Sequence, residues 1–189
     1  MIQGNLEYLM SSLPHLTFND SDEVRKRVNS ILSKYAGAAR EGYDLIDILD
    51  FEAEKFLSAS SSAIYQSIAL EDIHETNFRN SSNAVLAEFA NWMHWLKNEI
   101  AELRNARRQK LKQTDQRKRA LPIEQGTPLQ EEVQLLRLQW NKADELAVGH
   151  NSDFSELVTY KLKLMILLRW WSFDKKRGIE TFQEITKPN

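Results

Sequence analysis

Apolar side chains recur every three or four positions along most of the chain, the spacing of one face of a helix. The densest case is Ser152 to Phe173, SDFSELVTYKLKLMILLRWWSF. One apolar set runs through Phe154, Leu157, Val158, Leu164, Met165, Leu168 and Trp171, and a second through Tyr160, Leu162, Ile166, Leu167 and Trp170. A helix that is apolar nearly all round is a buried one, so this segment is expected at the centre of the fold. Ser152 or Asp153 caps its start, and with Asp153 as the cap Glu156 falls three residues later, in the capping-box position. The dense apolar run, Leu162 to Trp171, contains Lys163 and Arg169 and falls short of the roughly twenty apolar residues a membrane span needs.

The same spacing predicts the other elements. A short element near Tyr8 stops before Pro14, because the residue ahead of a proline is pushed out of the α region. Asp20 or Ser21 caps a helix to about Tyr35 with a stripe of Val24, Val28, Ile31, Leu32 and Tyr35. A helix from near Gly42 or Tyr43 follows, with Asp44, Asp47, Asp50 and Glu54 on one face, read as a solvated face. Ser58-Ala59-Ser60-Ser61-Ser62 is read as a hinge or exposed loop, with a short helix from Ala63 to about Ile73 after it. Ser81 or Ser82 opens the longest helix, to about Lys112, striped by Val85, Phe89, Met93, Leu96, Ile100 and Leu103. Thr127-Pro128-Leu129-Gln130 carries a helix-start signature, and the stripe of Leu129, Val133, Leu136, Trp140, Ala143 and Ala147 leads to Gly149 as the stop. That helix and the central one are expected as an antiparallel hairpin, with Ile179 to Ile185 as a short last helix.

The expected fold is therefore all-α, an elongated multi-helix bundle with a central, buried C-terminal helix. Residues 1–189 read as a single helical domain, with an N-terminal lobe over 1–57, a hinge over 58–62 and a main bundle over 63–189. Six glycines, four prolines and the absence of an Asn-Gly or Asp-Gly hairpin signal agree with it. The chain has no cysteine, which removes disulfides and thiolate metal sites and suits the cytoplasm. No basic n-region followed by an apolar run marks a secretion signal.

The net charge of −2 conceals an asymmetry. Residues 1–80 carry a net −6 and residues 81–125 a net +4. The basic excess is concentrated in Arg104, Arg107, Arg108, Lys110, Lys112, Arg117, Lys118 and Arg119. The commonest meaning of such a run is a solvated helix end. A docking surface for an acidic protein comes next, and a nucleic-acid-binding regulator is the alternative function, ranked last because the aromatics of this helix lie upstream of the charges. Glu71 and His74 form a lone Glu-x-x-His pair; a carboxylate-bridged metal site needs a second pair, and none exists, so neither metal nor cofactor is expected. No phosphate loop, Gly-x-Ser-x-Gly or His-Glu-x-x-His motif appears, and no catalytic residue is assigned. Trp92 and Trp95 lie on adjacent faces of one helix, as do Trp170 and Trp171 on another, so at least one of them is expected at the surface, where it would mark a protein interface.

The order of several blocks carries a resemblance. They are Tyr8-Leu9 with Ser12-Leu13-Pro14, Leu103-Arg104-Asn105 with Arg107-Arg108, Pro128-Leu129 with Glu132, and Trp140 through Gly149-His150. Leu157, Tyr160-Lys161-Leu162-Lys163-Leu164, Leu168-Arg169-Trp170, Phe173-Asp174 and Gly178 complete the set. Together these resemble an uncharacterised bacterial family linked to V-type (A/V-type) ATPase operons and similar to the C-type subunit of that ATPase. The resemblance implies a non-catalytic helical protein that docks to other ATPase subunits at the stalk or membrane rotor ring. It implies a cytoplasmic protein, peripheral to the inner membrane through the complex, with no small-molecule substrate. The C-type subunits of that family are much longer, with three repeated lobes, so this chain would supply only part of that shape or act as an accessory factor.

Overall fold

The computed structural model describes residues 6–36, 44–108 and 121–173. Among these there are eight helices and no strand: α1 (Leu6–Ser12), α2 (Asp22–Ala36), α3 (Leu45–Glu54), α4 (Ala59–Ser67), α5 (Thr76–Arg79), α6 (Ala84–Arg108), α7 (Pro128–Ala147) and α8 (Phe154–Trp171). The fold is all-α. The short helix read at Ile179 to Ile185 lies outside the described residues.

Helix α8 sits where its all-round apolar pattern requires. Leu157, Val158, Leu162, Leu164, Ile166 and Leu167 are fully buried, and α8 packs against α7, α6 and α3, with α7 and α8 the most extensive pair. Asp153 caps α8 by accepting from the Glu156 N–H at 2.8 Å. The Glu156 carboxylate reaches back one residue further than a capping box requires, to the Ser152 N–H, because Ser152 has positive φ (54°) and turns its amide toward the helix. Gly149 (φ 87°) closes α7 in a conformation that disfavours any side chain. At the start of α7 the reciprocal cap forms as its sequence predicts: Gln130 N–H to Thr127 Oγ1 at 3.3 Å, and Thr127 N–H to Gln130 Oε1 at 2.9 Å.

Three local expectations are corrected. Ser58–Ser62 form no open hinge: Ser58 caps α4, accepting from the Ser61 N–H at 3.2 Å, and Ser62 is buried within that helix. A serine run is a good helix start, because the first hydroxyl satisfies a free amide of the first turn. The predicted helix from Ala63 to Ile73 accordingly begins earlier and ends at Ser67, and Ile68, Leu70 and Ile73 drop into the core from an irregular segment. The start of α6 is capped by Asn83, which accepts from the Leu86 N–H at 2.9 Å, in place of Ser81 or Ser82. Asn83 Nδ2 also donates to Ser155 Oγ at 2.9 Å, tying together the first turns of α6 and α8.

The acidic face of α3 is the larger correction. Asp44 caps the helix, accepting from the Ile46 and Asp47 amides at 2.8 Å. Asp50, read as solvated, turns inward to Lys161 of α8. The Lys161 ammonium has no exposure; it lies 2.7 Å from Asp50 Oδ1, donates to Asp50 Oδ2 at 2.9 Å and to the Tyr65 carbonyl at 2.7 Å, and sits 4.6 Å from the Tyr65 ring centroid. Burial pulls the Lys161 ammonium below the usual lysine range, with the Asp50 carboxylate opposing, and burial pushes the Asp50 carboxyl up to about 6 against the pull of Lys161.

The segment between α1 and α2 is strapped onto α7 and α8. Tyr160 donates to the Pro14 carbonyl at 2.9 Å and Trp171 Nε1 to the Asn19 carbonyl at 3.0 Å. Phe18 stacks on Trp170 (4.3 Å between centroids) and meets Trp140 edge-on at 5.6 Å, with the Arg137 guanidinium 3.9 Å above its ring. One hydrophobic cluster runs from Leu9 in α1 to Leu167 in α8.

Removing one partner of a buried pair strands the other. Lys161→Met is expected to cost about 3–5 kcal/mol by chemical denaturation near neutral pH, and Lys161→Met with Asp50→Asn to recover most of that loss. A double variant no more stable than the single one would show that the two groups are not coupled. The pair also sets a pH dependence. Folded Asp50 holds its proton up to about pH 6, whereas its ordinary value is 3.8. Between those values the folded chain binds more protons, so the contribution of Asp50 to stability falls as pH rises through the window and is level above it. Measured against Asp50→Asn, the relative stability of the parent chain is expected to decline across that window.

Candidate functional site

The predicted stripes of α6 and α7 are covered along only part of their length. On α6, Val85, Phe89 and Leu96 are buried, whereas Ile100 and Leu103 are only half-buried. On α7, Leu136, Trp140 and Ala143 are buried, whereas Leu129, at the antiparallel end, is 47% exposed. Two adjoining cavities, of about 420 Å³ and about 380 Å³, lie beside the open end of the α6 stripe; Leu129 lines neither. The first lies between the end of α6, the start of α7 and residues 121–127, and includes Leu103, Arg107, Ile123, Gly126, Pro128 and Glu131 in its walls. The second extends toward the segment after α4 and adds Leu70, Glu71, His74, Met93, Leu96, Lys97, Gln139 and Arg169. Ile100, Arg104, Glu132 and Leu135 line both, so the two form one groove.

The groove has a defined polar frame. Arg107 donates to Glu131 Oε2 at 2.6 Å, and the Gly126 amide donates to Glu131 Oε1 at 3.1 Å. The Arg107 guanidinium holds the Glu131 carboxyl below its ordinary range. Arg169, in the last turn of α8, donates to Glu132 Oε1 through Nε at 3.2 Å and Nη2 at 2.8 Å. The Glu124 amide donates to Gln134 Oε1 at 2.8 Å and Gln134 Nε2 to the Glu124 carbonyl at 3.0 Å, which clips residues 121–127 onto α7. Lys97 Nζ lies 2.6 Å from His74 Nε2.

Two buried polar atoms in this frame lack hydrogen-bond partners among the described residues. Arg104 is exposed, lines both cavities and acts on the Glu131 carboxylate through its charge alone. Gln139 is 8% exposed and its Oε1 accepts nothing. The buried Nε of Arg107 donates to nothing. A buried polar atom without a partner costs about 1–3 kcal/mol, and both atoms lie sealed behind the groove wall.

Of the basic run singled out from sequence, Arg104 lines the groove, Arg107 is engaged by Glu131 and Arg108 is exposed at the end of α6. Lys110, Lys112, Arg117, Lys118 and Arg119 lie outside the described residues. Glu71 and His74 come to the rim of the second cavity, but His74 meets Lys97, and no group of three or more His, Asp or Glu placed to hold a metal ion occurs among the described residues. His150 Nδ1 lies 2.7 Å from Asp153 Oδ2 beside the α8 cap, and burial of Asp153 is outweighed by that contact and the capping amides, so its carboxyl stays below the ordinary range. Trp95 is 38% exposed and lies 6.1 Å from the ring of half-buried Trp92. The Lys161–Asp50–Tyr65 cluster lines neither cavity, and Lys161 and Tyr65 have no exposure.

The sequence reading missed Lys97, Gln139 and the partnership of Glu131 and Glu132 with arginines. The signal for Lys97 was present: Met93, Lys97, Ile100 and Arg104 recur at four, three and four, placing two cations on the apolar face.

Residues 97–188 match a family model described as a protein of unknown function, DUF2764. The matched region begins at Lys97 and takes in the end of α6, α7 and α8. No curated protein matches the chain, and no solved structure does.

The two arginines of the groove separate in a stability experiment. Arg104→Ala is expected to leave stability within about 0.5 kcal/mol of the parent, as for a residue with nothing to lose. Arg107→Ala strips Glu131 of its partner in a half-buried site and is expected to cost about 1 kcal/mol. Equal losses in thermal or urea unfolding would place Arg104 in the frame of the fold.

Proposed function

We propose that the chain is a non-catalytic component or accessory factor of a V-type rotary ATPase, akin to its C-type subunit, and that it docks to other subunits through the groove between α6 and α7. The observation that carries the docking reading is the open groove itself, in which half-buried Ile100 and Leu103 at the end of α6 face Pro128 and Leu135 of α7, with exposed Arg104 in the wall. A groove of this kind is the seat for an amphipathic segment whose apolar side chains enter at helical spacing. The choice of assembly rests on the sequence resemblance. In this reading the chain works by shape and surface, and membrane contact is indirect: no described helix is long and apolar enough to cross a bilayer. Nothing in the described part of the basic run favours the nucleic-acid alternative, because Arg107 is engaged by Glu131 and Arg104 stands among apolar walls.

Purification of a tagged chain from its native cells is expected to bring down rotary ATPase subunits, identified by mass spectrometry. Ile100→Asp with Arg104→Glu is expected to reduce their recovery about tenfold, equivalent to about 1.4 kcal/mol. Isolation of the intact rotary complex without this chain, or undiminished recovery with the double variant, would overturn the reading.

A further inference from the structure

The α6 wall of the groove carries charge of one sign. Lys97, Arg104 and Arg107 stand in it beside Ile100 and Leu103, and no carboxylate of α6 lines either cavity. The carboxylates of the groove come from other elements, Glu131 and Glu132 from α7 and Glu71 from the segment after α4. Arg107 holds Glu131 and Arg169 holds Glu132. Lys97 and Arg104 are both exposed and pair with no carboxylate among the described residues. Lys97, which has only donors, gives a hydrogen bond to the His74 imidazole, and Arg104 acts on Glu131 through its charge alone.

Spacing turns this charge into a pattern. Lys97, Ile100 and Arg104 follow at three and four along α6, so they share one face of the helix. At 1.5 Å per residue, the two cations stand about 10.5 Å apart along the axis with a half-buried apolar residue between them. The complement is a pair of carboxylates at that separation with an apolar group between. A helix laid along α6 supplies it, because residues seven apart return to one face after about 10.5 Å. An extended segment brings side chains to one face about every 7 Å, so its carboxylates fall at about 7 or 14 Å, out of register with the cations. A nucleic-acid strand would meet the cations and leave Ile100 and Leu103 facing sugar and phosphate.

We propose that the groove seats an acidic amphipathic helix of another protein, lying along α6, with carboxylates seven residues apart on Lys97 and Arg104 and an apolar side chain between them on Ile100. The proposal rests on the docking reading above for the place of contact and adds the chemistry of the partner. Each carboxylate gains a charge-assisted hydrogen bond, and the apolar side chain covers surface that the bundle leaves half-open. The charges act mainly on choice of partner, since a basic helix would bring like charges to the same two positions.

The test uses the full-length chain in its native cells. Ala101, exposed in the groove wall, is replaced by the photo-reactive amino acid p-benzoylphenylalanine, and peptides cross-linked on illumination are sequenced by mass spectrometry. The same replacement at Val148, 80% exposed and lining neither cavity, is the control. The expected capture at Ala101 is a segment of another protein with two acidic residues seven apart and apolar residues at helical spacing between them. Made as a synthetic peptide, that segment is expected to bind purified Arg104→Glu chain about tenfold more weakly than the parent, by fluorescence anisotropy. Changing one of its two acids to lysine is expected to restore binding to the variant, which a damaged fold would not allow. Capture of a neutral or basic segment, nucleic acid, lipid or a second copy of this chain would overturn the proposal. So would no capture above the control, affinity indifferent to Arg104→Glu, or a loss that the charge exchange does not restore. The two readings fail separately. An ATPase subunit held through a neutral or basic segment overturns this proposal and leaves the docking reading standing, and an acidic helix from a protein outside the ATPase does the reverse.

Discussion

The bundle is organised by the placement of one charge. Lys161 lies in the middle of the most buried helix, where an ammonium ion without partners would cost several kcal/mol. Its four compensating contacts come from two other helices: both oxygens of Asp50 on α3, and the carbonyl and ring of Tyr65 on α4. Apolar packing tolerates small slides of one helix along another, but these contacts have directions and short distances. Moving α3 or α4 by one turn along α8 would strand the ammonium in the core. The remaining faces of α8 belong to α6 and α7, so fixing α3 and α4 on one side also fixes which sides of α6 and α7 meet the core.

The groove follows from what remains uncovered. Residues 13–21 cover α7 and α8 where Phe18 meets Trp140 and Trp170. Where α6 ends and α7 begins, residues 121–127 form one wall and leave a cleft open. Ile100 and Leu103 therefore continue the α6 stripe beyond the core that explains it. Single exposed apolar residues need no explanation, but a stripe left half-open along a cleft with charged walls suits a docking surface.

Element identity was largely legible in the sequence, because it depends on short-range physics. The Thr127–Gln130 cap, the Gly149 stop and the all-round apolar pattern of α8 each reflect groups a few residues apart. The misreadings share a different origin. Asp50 sits in a regular acidic series on α3, and only a lysine 111 positions away distinguishes it from its solvated neighbours. Lys161 sits in a run where lysines read as breaks in an apolar helix, although Lys163 reaches Asp144 near the surface and Lys161 is sealed in the core. The serines at 58–62 suggest a hinge by composition, yet their hydroxyl geometry starts a helix. The candidate site was half legible for the same reason. Arg104 stands out as a charge, but whether a cation is free or already held depends on Glu131 and Glu132, which come from another helix.

The charges in the groove walls say more about its use than the apolar residues. An apolar surface accepts any greasy partner, and each contact is worth much the same whatever fills it. Arg104 and Lys97 behave differently. They favour an occupant that brings a carboxylate beside them and penalise one that brings a cation. Glu131 and Glu132 do not offset this, because Arg107 and Arg169 already hold them. Discrimination of this kind is built into the walls before any ligand arrives, and it selects for one charge sign.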